Sequence, residues 1–163
     1  LTESCASETL ALQKATREAA LQVLQILKTK PEGVVTIVPG STVAAAAALL
    51  SARKIGAVIV SSDGRKALGI VSERDIVREL GRRGSECLSE TVDNVMTSQL
   101  VGCVRTDTAD QVMERMTEGR FRHMPVLEGG VMVGLISIGD VVKARLSELA
   151  MEKEALTGMI MGN

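Results

Sequence analysis

The sequence predicts an α+β fold made of two pseudo-symmetric β-α-β-β-α repeats packed as a pair, with helices flanking them at both ends. Three observations carry that expectation. GIVSERD at 69–75 recurs as GLISIGD at 134–140, so Gly69, Ser72 and Asp75 map onto Gly134, Ser137 and Asp140 at an offset of 65 (134 − 69). Val43, Ala46, Ala47 and Leu50 mark a helix face by their i, i+3, i+4, i+7 spacing, and Ala109, Val112, Met113 and Met116 repeat it at an offset of 66 (109 − 43). Between helix and glycine each copy carries an apolar strand, AVIV at 57–60 and MPVL at 124–127, followed by a turn (SSDGRK or EGG) and a second strand. The nearly constant offset confines small insertions to turns, as a structural repeat does.

In chain order, residues 1–30 form a leader, with a helix over 6–28 whose apolar residues gather at Leu21, Val23, Leu24, Ile26 and Leu27. Repeat 1 spans 31–84, with a strand VTIV at 35–38, a helix at 42–53, strands near 57–61 and 67–71, and a helix at 73–82. Pro39-Gly40-Ser41-Thr42 is a turn that ends in a capping residue for the first of these helices. The run AAAAALL is apolar nearly all round, which predicts burial on several sides. A linker at 85–100 follows, and Val92, Val95 and Met96 are available to pin it to the core. Repeat 2 spans 101–150, with GCV at 102–104, a helix at 108–118, strands near 124–127 and 131–136, and a helix from 138. A long tail helix over 141–158 carries Val142, Leu146, Leu149 and Leu156 on one side, and residues 151–163 close the chain. That stripe suits a partner subunit or the chain's own domain. One repeat cannot cover both faces of its sheet; two packed together can.

Composition narrows the function. The 163 residues are 45% hydrophobic and 24% charged, an ordinary globular balance. A net charge of −1 exerts no general pull on nucleic acid, and one Phe without Tyr or Trp leaves no platform for stacking bases. No apolar run approaches the roughly 20 residues of a membrane helix, and the N-terminus lacks the layout of a signal peptide. Three widely spaced cysteines (Cys5, Cys87, Cys103) and a single histidine argue against a disulfide framework or a zinc site. They fit a reducing compartment: the cytoplasm, or a mitochondrial or plastid matrix if the N-terminus is a processed one.

The paired Ser-x-x-Asp motifs have two readings. As a capping box, the serine caps a helix and the carboxylate favours its positive end. As a ligand site, the carboxylate needs further polar groups around it. RFRHMPV supplies them in repeat 2, because Arg120 and Arg122 offer bidentate donors suited to phosphate and His123 adds a third. Read as strand, this run puts Arg120 and Arg122 on one face and His123 on the other; a turn here changes that. Its bland alternative is a solvated basic patch pairing with Glu118 or Glu128. Repeat 1 has Lys54-Ile55-Gly56 at this place, with Arg74 and Arg78 as substitute cations, so the two sites are not equivalent.

VTIVPGSTV, GAVIV, GIVSERDIVREL, VDNVMT and the run MTEGRFRHMPVLEGGVMVGLISIGDVVKARL together resemble tandem CBS domains, the paired Bateman module, from about residue 22 onward. The RxRHxPV and SIGDVV motifs are similar to those of stand-alone CBS pairs from bacteria and plant organelles. The resemblance implies a regulatory sensor of adenosine nucleotides, AMP first, with ADP, ATP or NAD(H) as alternatives, and no metal. It implies that Asp75 and Asp140 bind ribose hydroxyls and that Ser72 and Ser137 contact ribose or phosphate. Adenine is expected between aliphatic groups with its edge read by main chain, at Thr36, Ile37 and Val38 with Ala57 and Val58, and at Gly102, Cys103 and Val104 with Met124 and Pro125. Arg120, Arg122 and His123 match the phosphate contacts. Asp140 is the expected ribose contact, and Asp75 its weaker or differently tuned twin. A homodimer and a regulated protein partner complete the expectation, with neither nucleic acid nor membrane. The competing readings are a structural dimerisation module whose Ser-x-x-Asp pairs only cap helices, and an enzyme. The latter lacks a Walker lysine motif, Rossmann glycines and HExxH.

Overall fold

The computed structural model describes residues 20–161. In chain order their elements are α1 (Val23–Lys28), β1 (Thr36–Ile37), α2 (Val43–Arg53), β2 (Ala57–Val60), β3 (Gly69–Ser72), α3 (Glu73–Arg83), α4 (Ala109–Gly119), β4 (His123–Glu128), β5 (Val131–Ser137) and α5 (Ile138–Met161). Two short 3-10 turns, Gly84–Ser89 and Val92–Asn94, lie between α3 and α4. The mixed α+β class and the β-α-β-β-α order are those expected from the repeats. The described residues divide into two compact units: Pro31–Val104 with His123–Ile136, and 20–30 with Arg105–Arg122 and 137–161.

In the first unit β2 is central, parallel to β1 (Thr36↔Ile59, Ile37↔Val60) and antiparallel to β3 (Ala57↔Ser72 to Val60↔Gly69). Helix α2 starts where Thr42 Oγ1 accepts the Ala45 N–H at 3.1 Å, satisfying one orphan donor of the first turn. Its Val43, Ala46 and Leu50 join a core with Val58, Val60, Val71 and Ile76. Val92 and Val95 complete that core and Met96 packs on it, so the linker is pinned as its apolar residues predict. The linker also exchanges backbone hydrogen bonds with β3, between Ile70 and Thr97 (3.0 and 2.9 Å). One expectation fails: α2 is buried along a single stripe, and Ala44, Ala45 and Ala48 are exposed. Alanine there supplies helix propensity without requiring a second covered face.

The hairpin β4–β5 turns at Gly129-Gly130, both at positive φ (56° and 77°), where glycine carries no Cβ penalty. Along β5, Met132, Gly134 and Ile136 are buried in alternation with half-buried neighbours. The expected strand at 102–104 reduces to a single parallel bridge, Cys103↔Val126. It keeps the register of Ile37↔Val60 at an offset of 66 (103 − 37). The backbone bonds follow suit, Leu127 N–H to Cys103 O at 2.8 Å matching Ser61 N–H to Ile37 O at 2.9 Å.

In the second unit α1 is tied to the start of α4. Gln22 bridges Thr108, Val23 N–H donates to Asp107 O (2.9 Å), and Ala109 N–H donates to Leu21 O (2.8 Å). The linker treats α2 identically: Thr91 bridges Thr42, Val92 N–H donates to Ser41 O (2.8 Å) and Val43 N–H donates to Glu90 O (2.8 Å). The N-terminal arm is therefore to repeat 2 what the linker is to repeat 1. This pairing holds Gln22 extended (φ −100°, ψ 156°), so the helix expected over 6–28 begins only at Val23 in the described part. Residues 6–19 of that expectation lie outside the described residues. Ala109, Val112 and Met116 of α4 are buried, as their spacing predicts. The helices expected from 138 and over 141–158 are one helix, α5; Val141 is buried, whereas Val142, Leu146, Leu149 and Leu156 are exposed. No helix among the described residues is long and apolar enough to cross a membrane.

Candidate functional site

Each repeat turns from its last strand directly into a helix, and Ser-x-x-Asp makes that turn. In repeat 1 the box is closed on all sides. Asp75 N–H donates to Ser72 Oγ (3.3 Å), while Asp75 Oδ2 accepts from Ser72 N–H (2.9 Å) and from Ser72 Oγ (2.6 Å). Arg78, one turn along α3, caps the other oxygen, Oδ1. Both oxygens of Asp75 are engaged, and its side chain is 11% exposed.

In repeat 2 the same reciprocal bonds form, Asp140 N–H to Ser137 Oγ (3.2 Å) and Ser137 N–H to Asp140 Oδ2 (2.8 Å). The cation comes from elsewhere. Lys30 Nζ lies 2.5 Å from Asp140 Oδ2, and the two side chains are 29% and 25% exposed. Asp140 Oδ1 accepts no hydrogen bond among the described residues. Burial alone would raise the Asp140 pKa, but the Lys30 hydrogen bond and the Ser137 amide outweigh it and hold the carboxyl below its ordinary 3.8. The carboxylate is thus ionised at neutral pH.

Of the two conformations open to the basic run, strand and turn, the turn forms. Arg120 terminates α4 in the left-handed conformation (φ 55°), and Phe121 N–H returns to Met116 O at 3.1 Å. Lys54 does the same after α2 (φ 53°), with Ile55 N–H to Leu50 O at 3.1 Å. Strand β4 begins only at His123. Arg122 O then accepts the Ile138 N–H at 2.8 Å, just as Gly56 O accepts the Glu73 N–H at 3.0 Å. Arg122 is therefore the counterpart of Gly56, and its backbone is fastened to the first turn of α5 beside Ser137 and Asp140. Lys30, Ser137, Asp140 and the Arg122 carbonyl meet at one helix start. Arg120 is exposed.

His123 packs against repeat 1. A Cβ placed on Gly56 would meet its Cε1 at 3.1 Å and Nε2 at 3.2 Å, with the Glu73 carboxylate at 3.9 Å. Among the apolar candidates, Ile37, Ala57, Val58, Cys103, Met124 and Pro125 are buried and belong to the core. Val38 and Val104 are 58% and 44% exposed, so these two present side chains to solvent, at equivalent ends of the two repeats. Thr36 and Gly102 are half-buried. A Cβ on Gly102 would come within 2.9 Å of Leu127 Cδ1 and 3.3 Å of Pro125 O, so Leu127 would have to shift to admit one. Arg78, one of the substitute cations of repeat 1, is held on Asp75. No His, Cys, Asp and Glu grouping among the described residues is arranged to hold a metal.

Lys30 is the residue that sequence reasoning missed. It lies 110 positions from Asp140 and outside both repeated motifs, so periodicity carries no signal for it.

Paired helix–hairpin–helix repeats, each opening its last helix with a Ser-x-x-Asp box, define a tandem-domain protein. The CBS-domain sequence profile matches residues 26–82 and again 92–147, so the chain belongs to the CBS-domain family and carries two copies. It is 34% identical over 117 residues to the CBS domain-containing protein CBSX3, mitochondrial, of Arabidopsis thaliana; the match covers 69% of this chain and 57% of that protein. The solved CBS-domain containing protein ATU1752 from Agrobacterium tumefaciens superposes with a TM-score of 0.73 at 47% identity, covering 76% of this chain and 98% of that one. CBSX2, solved in complex with AMP, shares the fold at a TM-score of 0.63 and 23% identity, covering 78% of this chain and 97% of that one.

Proposed function

We propose that this chain is a regulatory module that binds an adenosine nucleotide, AMP in the first instance and ADP, ATP or NAD(H) by the same groups, at the start of α5. The supporting observation is the Asp140 carboxylate: ionised, a quarter exposed, with Oδ1 accepting nothing from the described residues. A vicinal ribose diol offers two donors to such a carboxylate. Helix-start amides and the Arg122 guanidinium suit a phosphate. The chain is almost free of aromatic residues, so the base is expected among aliphatic side chains. Asp75, with both oxygens engaged, is the weaker ribose acceptor. The activity is binding rather than catalysis, and occupancy would be read through a change in packing sensed by a partner protein or a second copy.

The exposed stripe of α5 supports the second copy. Val142, Leu146, Leu149, Leu156 and Ile160 follow alternating steps of four and three, with Lys153 in the one remaining seam position. In an antiparallel pair Lys153 would meet Leu149 of the second copy rather than another lysine. Shortening the chain after Glu148 should then turn a dimer into a monomer by analytical ultracentrifugation.

A ligand-free structural role is the second reading, and the completeness of both capping boxes favours it. Thermal unfolding with AMP, ADP, ATP, NAD(H) and S-adenosylmethionine separates the two. A ligand at 100 times its dissociation constant adds about 2.7 kcal/mol of stability. The nucleotide reading requires a melting shift that Asp140→Ala removes and Arg122→Ala diminishes. No shift with any of these compounds would leave the structural role.

A further inference from the structure

We infer that Lys30 is a specificity-determining residue of the second-repeat site, competing with the ribose hydroxyls for the carboxylate of Asp140. The inference rests on the ribose role proposed for Asp140.

A carboxylate oxygen has two lone pairs in the plane of the group. On Asp140 Oδ2 both are engaged, by the Ser137 N–H at 2.8 Å and the Lys30 ammonium at 2.5 Å. A diol that bridges the two oxygens finds Oδ1 open and Oδ2 filled. The Ser137 amide belongs to the helix start and cannot leave without opening the turn. Lys30 is the donor that gives way.

The ammonium is delivered rather than merely nearby. Helix α1 is fastened at its beginning by the Gln22–Thr108 bridge and by Leu24 N–H to Arg105 O at 3.0 Å. Its end is closed by Thr29, whose amide (3.2 Å) and Oγ1 (2.8 Å) both donate to Ile26 O, and by Lys30 N–H to Leu27 O at 3.1 Å. Pro31 follows and stops the helix. Lys30 thus leaves a short, clamped element, and little chain entropy is lost in holding its ammonium on Asp140. Repeat 1 meets the same need within α3, where Arg78 covers Asp75. In repeat 2 the cover sits on a separate segment, so a bound diol and the N-terminal arm are linked through one oxygen atom.

Adenosine, which has the diol and no phosphate to attract a lysine, is the probe. Isothermal titration of the full chain with adenosine should give Lys30→Met an affinity roughly fivefold tighter than wild type, the equivalent of about 1 kcal/mol for a lost ion pair. Lys30→Gln should move the same way, and Lys30→Arg should stay near wild type. Unchanged or weaker binding in both Lys30→Met and Lys30→Gln would overturn the inference, the latter outcome making Lys30 a ligand contact instead. Asp140→Ala separates the two layers. If it loses adenosine while Lys30→Met matches wild type, the ribose role stands and the competition falls. If Asp140→Ala binds as wild type does, or if neither wild type nor Lys30→Met binds at millimolar adenosine, both fall.

Discussion

The Asp75 and Asp140 boxes share one motif and the same reciprocal hydrogen bonds to the preceding serine, yet their carboxylates are covered differently. Asp75 is closed by its own helix: Ser72 takes one oxygen and Arg78, three residues on, takes the other. Asp140 has Lys143 at the position equivalent to Arg78, but its cation is Lys30, brought by the N-terminal arm onto the oxygen that Ser137 already uses. A local cover travels with the helix and leaves nothing to exchange. A cover from a remote segment leaves one oxygen open and makes the other negotiable. The difference teaches that a duplicated motif can keep its fold-forming half in both copies while only one copy leaves a whole carboxylate oxygen without a donor among the described residues.

The largest effect that would break this comparison concerns binding. Asp140→Ala should abolish the nucleotide-dependent melting shift, a loss of about 2.7 kcal/mol at saturating ligand, while Asp75→Ala should keep most of it. Equal losses in a thermal-shift titration would show the boxes to be equivalent sites. The order reverses for the fold itself. Without ligand, Asp75→Ala should cost about 1–2 kcal/mol in urea unfolding, because a buried cap and its Arg78 partner are lost together. Asp140→Ala, more exposed, should cost less.

A pH series sharpens the contrast further. The folded-state pKa of Asp140 lies below the ordinary 3.8, with the Lys30 and Ser137 bonds outweighing burial. Its stabilisation is therefore fully present above that value and disappears as pH falls through the folded pKa. The stability gap between wild type and Asp140→Asn should hold from neutral pH down to the ordinary carboxylate range and close below it. A gap that widened on acidification would contradict the sign. The smallest effect is expected at Gly56, where an added methyl would sit 3.1 Å from the His123 ring. Gly56→Ala should cost about 0.5 kcal/mol, seen as a small fall in urea midpoint, since the ring can yield by a few tenths of an ångström.

Much of this was legible in the chain because it is local or periodic. The spacing of Val43, Ala46 and Leu50 named the buried face of α2, and its counterpart named that of α4. Val92, Val95 and Met96 announced that the linker is part of a core. What stayed illegible has equally physical causes. RFRHMPV left strand and turn both open, and Arg120 ends a helix in a left-handed turn, which a pattern of polar and apolar residues does not encode. AAAAALL looked buried all round because alanine is apolar, although its helix propensity is indifferent to burial. The side chains of Ile37, Cys103 and Met124 lie in the core, so a base edge at these segments would be read by main chain, while Val38 and Val104 keep exposed side chains.

The sequence by itself determined the repeat, the family, the two helix starts and the carboxylates that stand at them, because each depends on residues within a few turns of one another. The tertiary structure alone decided which cation covers which carboxylate and which oxygen is left to accept. That outcome depends on where the N-terminal arm pairs, through the Gln22–Thr108 bridge, 110 residues away from Asp140 when it reaches Lys30. Contacts so distant along the chain follow from packing and backbone pairing rather than from any periodicity a single sequence displays.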